Sequence, residues 1–468
     1  MSEPSPLKPT LDSLRDQPDK LIEIILRQAG VIDELRKEVE QLKQQIKDLN
    51  DRNDGLSTKV EQLARAAARQ AAPFRIEDKD RVAQPKKPGR PKGHPGSFRV
   101  IPEQVDEEII VPLANCPQCG GEVVRRRSVV QYIEELPVVR PRVIKLVTEE
   151  ADCACCRKAV RSSHPMQVSL AEGAAGVQLG PRALGLAAQL NKQHGLTMRK
   201  TCAVLREMFQ LRLSPGGLSQ ALARMADKLE PSYENLLAQL RAGPCVHSDE
   251  TSWWVGGPGY WLWVFASQSR TAYRVAKSRG RDLLLEVLGP EFAGVLVSDC
   301  LATYDDFNPR QQKCYSHHLK AIKQADEGHP SAWLESVRWL LKEAMALKTQ
   351  ALDPAEKARC RAELEIRARG LLASPRPTNL EEKVRRRLEK QQDHLFTFLD
   401  VEEVEATNNL AERQLRPAVI ARKLSCGNKT PKGARTWEIL ASLAATCAQR
   451  SESFAQLISQ TALLSQTR

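Results

Sequence analysis

Two aspartates, Asp249 and Asp299, stand where the sequence suits phosphoryl-transfer chemistry. Asp249 lies in Cys245-Val246-His247-Ser248-Asp249-Glu250-Thr251, and Asp299 closes the apolar run Gly294-Val295-Leu296-Val297-Ser298. Carboxylates held together are costly unless cations neutralise them. Phosphodiester hydrolysis and transfer by the two-metal route need such a pair, so that the attacking water or 3′-hydroxyl is activated and the leaving oxygen is stabilised by separate ions. Oxygen ligands suit two Mg²⁺ ions, or Mn²⁺ in their place. Strand-end aspartates are also common on ordinary surfaces, so the pair alone leaves a solvated edge as the alternative.

A third acid must come from a helix brought against these strands. Glu412 is the best candidate, within Ala406-Thr407-Asn408-Asn409-Leu410-Ala411-Glu412-Arg413-Gln414-Leu415-Arg416-Pro417, where Asn409, Glu412 and Arg416 share one helical face. Glu405 extends that face backwards and is the rival for the metal. Arg413, Arg416, Arg422, Lys423, Lys429, Lys432 and Arg435 follow with no acid before Glu438. A metal-binding carboxylate followed by a basic stretch suits a held DNA strand, with a solvated basic helix as the plain alternative.

The elements around these acids follow from pattern. Residues 245–254 and 260–266 flank Gly256-Gly257-Pro258-Gly259 and predict a β-hairpin with Asp249 on its first strand. Thr271 to Ala276 predicts a third strand, Arg281 to Leu288 a helix, and Val295 to Val297 a buried fourth strand. Three strands, a helix and a further strand is the opening order of a ribonuclease H-like fold, in which the first and fourth strands lie side by side. Asp249 and Asp299 are then expected at adjacent strand ends.

Upstream, Cys116-Pro-Gln-Cys119-Gly reads as a zinc knuckle, and Cys153 with Cys156 supplies a second pair after the strand-like Tyr132 to Val147. Four thiolates from two such pairs make a closed tetrahedral structural Zn²⁺ site. Cys155, beside Cys156, leaves the second spacing ambiguous. From Leu21 to Leu63 apolar residues recur at alternating steps of four and three, with Ile25, Ile32, Val39, Ile46 and Val60 at a positions, Leu21, Leu35, Leu42, Leu49, Leu56 and Leu63 at d, and Asn53 at a. That seam predicts a parallel two-stranded coiled coil, against the alternative of an amphipathic helix on its own core. Lys86, Lys87, Arg90 and Lys92 form a Gly-Arg-Pro linker suited to a narrow minor groove, or merely solvated. Thr197 to Met225, broken at Leu213-Ser214-Pro215-Gly216-Gly217, has the outline of a DNA-binding helix-turn-helix or of a small helical bundle.

The order heptad helix, Gly-Arg-Pro linker, Cys-x-x-Cys, helical segment, Asp249-Glu250-Thr251, Ser298-Asp299 and the helix Asn408 to Pro417 resembles the transposases of the insertion-sequence-66 family. The resemblance runs from about Leu21 to Leu457. It implies a DDE core with Asp249, Asp299 and Glu412 as triad, a helical insertion before the last acid, and small accessory proteins from the same element. Cys314-Tyr315-Ser316-His317-His318-Leu319-Lys320 is similar to a family segment beside the active site, and it marks His317 as a possible neighbour of the acids. Tyr315 and Lys320 depart from that segment.

The expected fold class is multidomain α+β: a disordered tail (1–20), a coiled-coil dimerisation helix (21–68), a basic Pro/Gly linker (69–105), a zinc ribbon (106–165), a helical helix-turn-helix-like DNA-binding segment (176–243), a ribonuclease H-like core (244–320 and 401–425) with a helical insertion (321–400), and a C-terminal helical tail (426–468). In 468 residues, 70 Lys+Arg against 58 Asp+Glu give a formal charge of +12, which suits DNA as a polyanionic partner. No apolar run long enough to span a membrane and no signal-like N-terminus occur, so a cytoplasmic, nucleoid-associated protein with no membrane partner is expected. The expected activity is cleavage of element ends and joining of their 3′-hydroxyls to target DNA by a homodimer or higher oligomer. A hydrolytic ribonuclease H-like nuclease and a non-enzymatic zinc-ribbon regulator are the rival readings.

Overall fold

The computed structural model describes residues 18–70, 99–125, 127–167, 173–305, 307, 310–328 and 330–464. The chain divides into two compact units, Met1–Ile133 and Glu134–Arg468.

In the first unit, helix α1 (Pro18–Gln70) runs for 53 residues. Its seam residues Ile25, Ile32, Leu35, Val39 and Leu42 are exposed along the single chain. Helices draw most of their stability from packing an apolar face, and among the described residues nothing covers this stripe. The further seam positions Ile46, Leu49, Asn53, Leu56, Val60 and Leu63 lie outside the described side chains. The basic linker residues Lys86, Lys87, Arg90 and Lys92, and most of the expected tail, lie outside the described residues. The first cysteine pair sits in a tight turn: Cys116 N–H donates to Gly121 O and Gly120 N–H to Cys116 O, both at 2.8 Å.

The second unit opens with a hairpin of β1 (Glu150–Asp152) and β2 (Ala159–Arg161), antiparallel around the second cysteine pair. Among the described residues the strand-like stretch Tyr132 to Val147 forms no ladder, and Leu136, Val138 and Val143 are exposed. The ladder falls instead beside the Cys153 turn, which brings its two flanks into register.

Four helical stretches follow: α2 (Pro181–Ala188), extended by a π-turn at Gln189–Gln193, then α3 (Met198–Phe209) and α4 (Pro215–Arg241). Thr197 caps α3, and Ser214 caps α4 with Pro215 behind it. The second helix of the expected helix-turn-helix outline runs past Met225. Leu218, Leu222, Met225, Leu229, Tyr233, Leu236 and Leu240 continue one buried stripe to Arg241, so α4 is a core helix.

The core is one mixed sheet of β3 (Cys245–Trp253), β4 (Tyr260–Ser267), β5 (Arg270–Ala276), β6 (Val295–Ser298) and β7 (Gln311–Lys313), with α5 (Arg281–Leu288) between β5 and β6. Its order is β5-β4-β3-β6-β7; β3, β4 and β5 are antiparallel neighbours, and β6 joins β3 in parallel. The first and fourth strands therefore lie side by side, an order compatible with the core expected from sequence. Helices α6 (Tyr315–Gly328), α7 (Ala332–Lys348), α8 (Pro354–Leu372) and α9 (Asn379–Lys390) follow β7 and pack around Trp333, Leu340, Leu364 and Leu388. Helices α10 (Asn409–Ser425), α11 (Pro431–Gln449) and α12 (Phe454–Leu464) end the fold.

Helix α11 closes the sheet edge. Glu438, Ser442 and Thr446 accept from the outward N–H groups of Val275, Tyr273 and Thr271 at 2.6, 2.8 and 3.1 Å. Four helical residues rise about 6 Å and two strand residues about 6.8 Å, so every second strand amide meets a side chain one turn further along. An edge satisfied in this way cannot recruit another strand. Among the described residues no helix is long and apolar enough to cross a membrane.

Candidate active site

Strand parity decides which side chains meet. On β3 the odd-numbered residues share one face: Cys245 packs with the α6–α9 helices and Trp253 with α10, whereas Val246 packs into the α4 and α5 side. Asp249 therefore faces α10, while Glu250 faces the opposite layer. The β3–β6 register pairs Cys245 with Val295, Val246 with Leu296 and His247 with Val297. Two residues further along each strand direction stand Asp249 and Asp299. Asp299 lies just past the end of β6, whereas Asp249 sits in the middle of β3, paired with Val264 of β4. Asp249 is thus not at the strand end expected from sequence, because β3 runs on as the hairpin partner of β4.

Each aspartate has one oxygen tied to local backbone: Asp249 Oδ1 accepts from Glu250 N–H at 2.8 Å, and Asp299 Oδ1 from Leu301 N–H at 2.9 Å. Burial, and after it the charges of Glu250, Asp299 and Glu412, push the Asp249 carboxyl up to about 7 against the pull of the Glu250 amide. Burial dominates that rise, and Asp299 and Glu412 add the smaller part of it.

Glu412 reaches this place because α10 lies along the hairpin. Leu410 and Leu415 bury against β3 and β4, each worth roughly 1.5–3 kcal/mol relative to exposure. The far end of α10 is pinned as well: Asn428 N–H donates to Trp254 O at 2.8 Å and Gly256 N–H to Asn428 O at 3.0 Å. Gly427, at φ +95°, lets the backbone approach so closely that a Cβ there would stand 2.5 Å from Trp254 O. Glu412 lies in the first turn of α10, where the helix N-terminus favours a carboxylate, and it is exposed. The rival Glu405 is held by Gln268 Nε2 at 3.3 Å, and its charge bears on Cys245 and His247.

His317 stands with the acids. Its imidazole is held above the usual range by the Cys314 thiol, with the charges of Asp299 and Glu412 adding to the effect. Burial pushes the Cys314 thiol up, but His317 and the Asn408 and His317 amides outweigh it and lower the thiol overall. The neighbouring His318 is buried, faces Cys300 Sγ at 3.7 Å and is pushed down to about 3 by burial, so it is a neutral packed histidine.

Sequence reasoning missed the group that ties these elements together. Asn408 stands at the N-cap position of α10 yet makes no cap with its side chain. Its Nδ2 donates to Ser248 O at 2.8 Å, and its Oδ1 meets His247 Nδ1 at 3.2 Å. Since Oδ1 only accepts, Nδ1 carries the histidine proton. Burial pushes His247 down to about 4, which keeps it neutral in this role. Asn408 N–H also donates to Cys314 Sγ at 3.2 Å, so one buried residue joins β3, α6 and α10. On the opposite face, Glu250 accepts from Arg279 Nη2 at 2.6 Å and from Tyr304 Oη at 2.7 Å. The only sequence signal for Asn408 was the Asn-Asn pair before the helix, and a capping role is the natural first reading of it.

The basic residues divide. Arg413, Arg416 and Lys423 are exposed on α10. Arg422 instead donates to Thr251 Oγ1 at 3.0 Å and to the Ser252 carbonyl. Arg435 lies over the Tyr233 ring and pairs with Glu230, Glu234 and Glu438. The basic run is thus not one uniform face, because Arg422 and Arg435 are spent on folding contacts.

The two cysteine pairs adopt matching turns within their own units. Cys153 N–H donates to Lys158 O at 2.9 Å and Arg157 N–H to Cys153 O at 2.8 Å, the offsets seen at Cys116. Backbone N–H groups of Gln118 and Cys119 lower the Cys116 thiol, and those of Cys156 and Cys155 lower the Cys153 thiol.

The family model described as Transposase IS66 family matches residues 176–436. The chain is also 25% identical over 273 residues to the uncharacterized protein y4qI of Sinorhizobium fredii (strain NBRC 101917 / NGR234), a match that covers 49% of this chain and 49% of that protein.

Proposed function

Because the chain belongs to the IS66 transposase family, we propose that it cuts the ends of an insertion element and joins their 3′-hydroxyls to target DNA, with Asp249, Asp299 and Glu412 as its acid triad. The observation that supports this reading is the β3–β6 register, which sets Asp249 and Asp299 on neighbouring strands with Glu412 on a helix packed against β3. The Asp249 carboxyl, raised first by burial and then by Glu250, also feels the charges of Asp299 and Glu412. A cluster of carboxylates in which like charges oppose ionisation is a donor set that fits hard divalent cations.

Asp249, Asp299 and Glu412 would hold Mg²⁺ or Mn²⁺. Such ions, when bound, supply activation of the attacking oxygen and stabilisation of the leaving one. The chain's own contribution is placement. The β3–β6 register fixes the two aspartates, and α10 brings in the glutamate. His317, on which the charges of Asp299 and Glu412 bear, would stand beside a phosphate held at these acids, and Arg413, Arg416 and Lys423 would offer cations to the strand backbone. The linker residues Lys86, Lys87, Arg90 and Lys92 remain proposed DNA contacts on sequence grounds.

Other parts of the reading rest on the sequence pattern together with local geometry. The exposed seam of α1 supports pairing with a second copy, as a homodimer or within a higher oligomer. The matching turns support Cys116, Cys119, Cys153 and Cys156 as Zn²⁺ ligands, with Cys156 and not Cys155 at the position equivalent to Cys119. Accessory proteins from the same element and a nucleoid location follow from the family reading.

The test mixes purified chain with DNA carrying the element ends and Mg²⁺, and follows nicking and strand transfer. Transfer to a 3′-hydroxyl acceptor separates a transposase from a nuclease that uses water alone.

A further inference from the structure

We propose that Cys314, His317 and Glu412 form a further metal site, distinct from the four-cysteine site and selective for Zn²⁺ over Mg²⁺, whose occupation switches the neighbouring acid site off. One donor atom from each of the three lies within 4.8 Å of the others. Donors around a tetrahedral zinc, at bonds of about 2.0–2.3 Å, stand roughly 3.5 Å apart, so the set needs only a small closure to hold one ion.

The three donors are presented by rigid neighbours. Cys314 joins β7 to α6, with its N–H on Ser298 O at 2.9 Å and its Sγ taking the Asn408 N–H at 3.2 Å. His317 follows one helical turn later, with its N–H on Cys314 O at 3.2 Å. Its Nδ1 is buried and has no hydrogen-bond partner, which the geometry of a buried imidazole normally avoids. Glu412 is exposed and opens the group to solvent.

The chemistry differs from that of the three acids. A thiolate and an imidazole select zinc, whereas carboxylates alone suit magnesium. Binding displaces the Cys314 proton to solvent, so the thiol enters as thiolate. Three protein ligands leave a fourth position for water. The inhibitory consequence rests on the reading of Glu412 as the third acid: an ion held by Cys314 and His317 withdraws that carboxylate from the cations of the acid site.

The test has two arms on the full chain, purified with its zinc. In the first, Co²⁺ is added and the thiolate-to-cobalt charge-transfer absorption is recorded. The expected result is a band that is present in the wild type and in Cys155→Ser and lost in Cys314→Ser. In the second, Zn²⁺ is titrated into Mg²⁺-dependent end cleavage, each variant read against its own rate without added Zn²⁺. Inhibition is expected to weaken at least tenfold in Cys314→Ser. Should that buried substitution unfold the chain, His317→Gln carries both arms. A band of unchanged intensity in a folded variant, or equal zinc inhibition of both proteins, overturns the site. A band that behaves as expected in a chain that never cleaves DNA upholds the metal site and sinks the transposase reading instead.

Discussion

Asn408 donates from Nδ2 to the carbonyl oxygen of Ser248 at 2.8 Å, and that carbonyl belongs to the residue before Asp249. The bond fastens the start of α10 to β3 one residue before Asp249. Replacing Asn408 with alanine leaves the Ser248 carbonyl and His247 Nδ1 buried without a partner, at a cost of about 1–3 kcal/mol for each. The urea midpoint of Asn408→Ala should fall accordingly. Its cleavage per folded molecule should fall by about a hundredfold, the size expected for a misplacement of the order of 1 Å. A variant with the wild-type midpoint and rate would remove Asn408 from the account.

Asp249 and Glu250 are adjacent acids with opposite assignments. Glu250 is 2% exposed in its side chain and clamped by Arg279 and Tyr304, and Arg279 lies over the Trp261 ring at 4.4 Å. Glu250→Gln should lower stability by about 2 kcal/mol, below the usual cost of breaking a buried pair because Arg279 is partly solvated. End cleavage by its folded fraction should stay within a few-fold of wild type, while Asp249→Asn loses it. Loss of cleavage in both, at equal folding, would mean that strand parity has been misread.

The basic residues after Glu412 should separate by measurement. Arg416→Ala and Lys423→Ala are expected to reduce the salt dependence of DNA binding by about 0.9 in slope per lost phosphate contact. Arg435→Ala should leave that slope alone and lower the melting temperature, because Glu230, Glu234 and Glu438 lose their shared cation. A slope change in Arg435→Ala with unchanged melting would contradict the division drawn here.

Zinc content tests the cysteine turns. Freshly purified chain should carry about one zinc, and Cys153→Ser should lose it while Cys155→Ser keeps it. Full zinc content in Cys153→Ser would overturn that ligand assignment.

Much of the sheet was legible in the sequence because its signals are local. The turn at Gly256 to Gly259 marks the hairpin, and the apolar run to Val297 marks a strand buried on both faces. The length of α4 was not legible in an outline that ended at Met225, because the apolar stripe continues past Pro231 through Tyr233 and Leu240. Asp299 was readable as a strand-end acid, but Asp249 was misplaced at a strand end because the length of β3 beyond the β6 ladder depends on its pairing with β4, which the local pattern does not set. Asn408 was hidden because its partners Ser248 and His247 lie 160 and 161 residues away, and nothing local distinguishes a helix cap from a tether. The same holds for Arg435, whose partners come from α4.

The central claim is that Glu412, and not Glu405, completes the acid site. Its most direct test is strand transfer of a pre-cleaved element end into target DNA with Mg²⁺, comparing Glu412→Gln with Glu405→Gln at matched melting temperatures. The account predicts transfer within a few-fold of wild type for Glu405→Gln and at least a thousandfold loss, about 4 kcal/mol of barrier, for Glu412→Gln. Undiminished transfer by Glu412→Gln would contradict it.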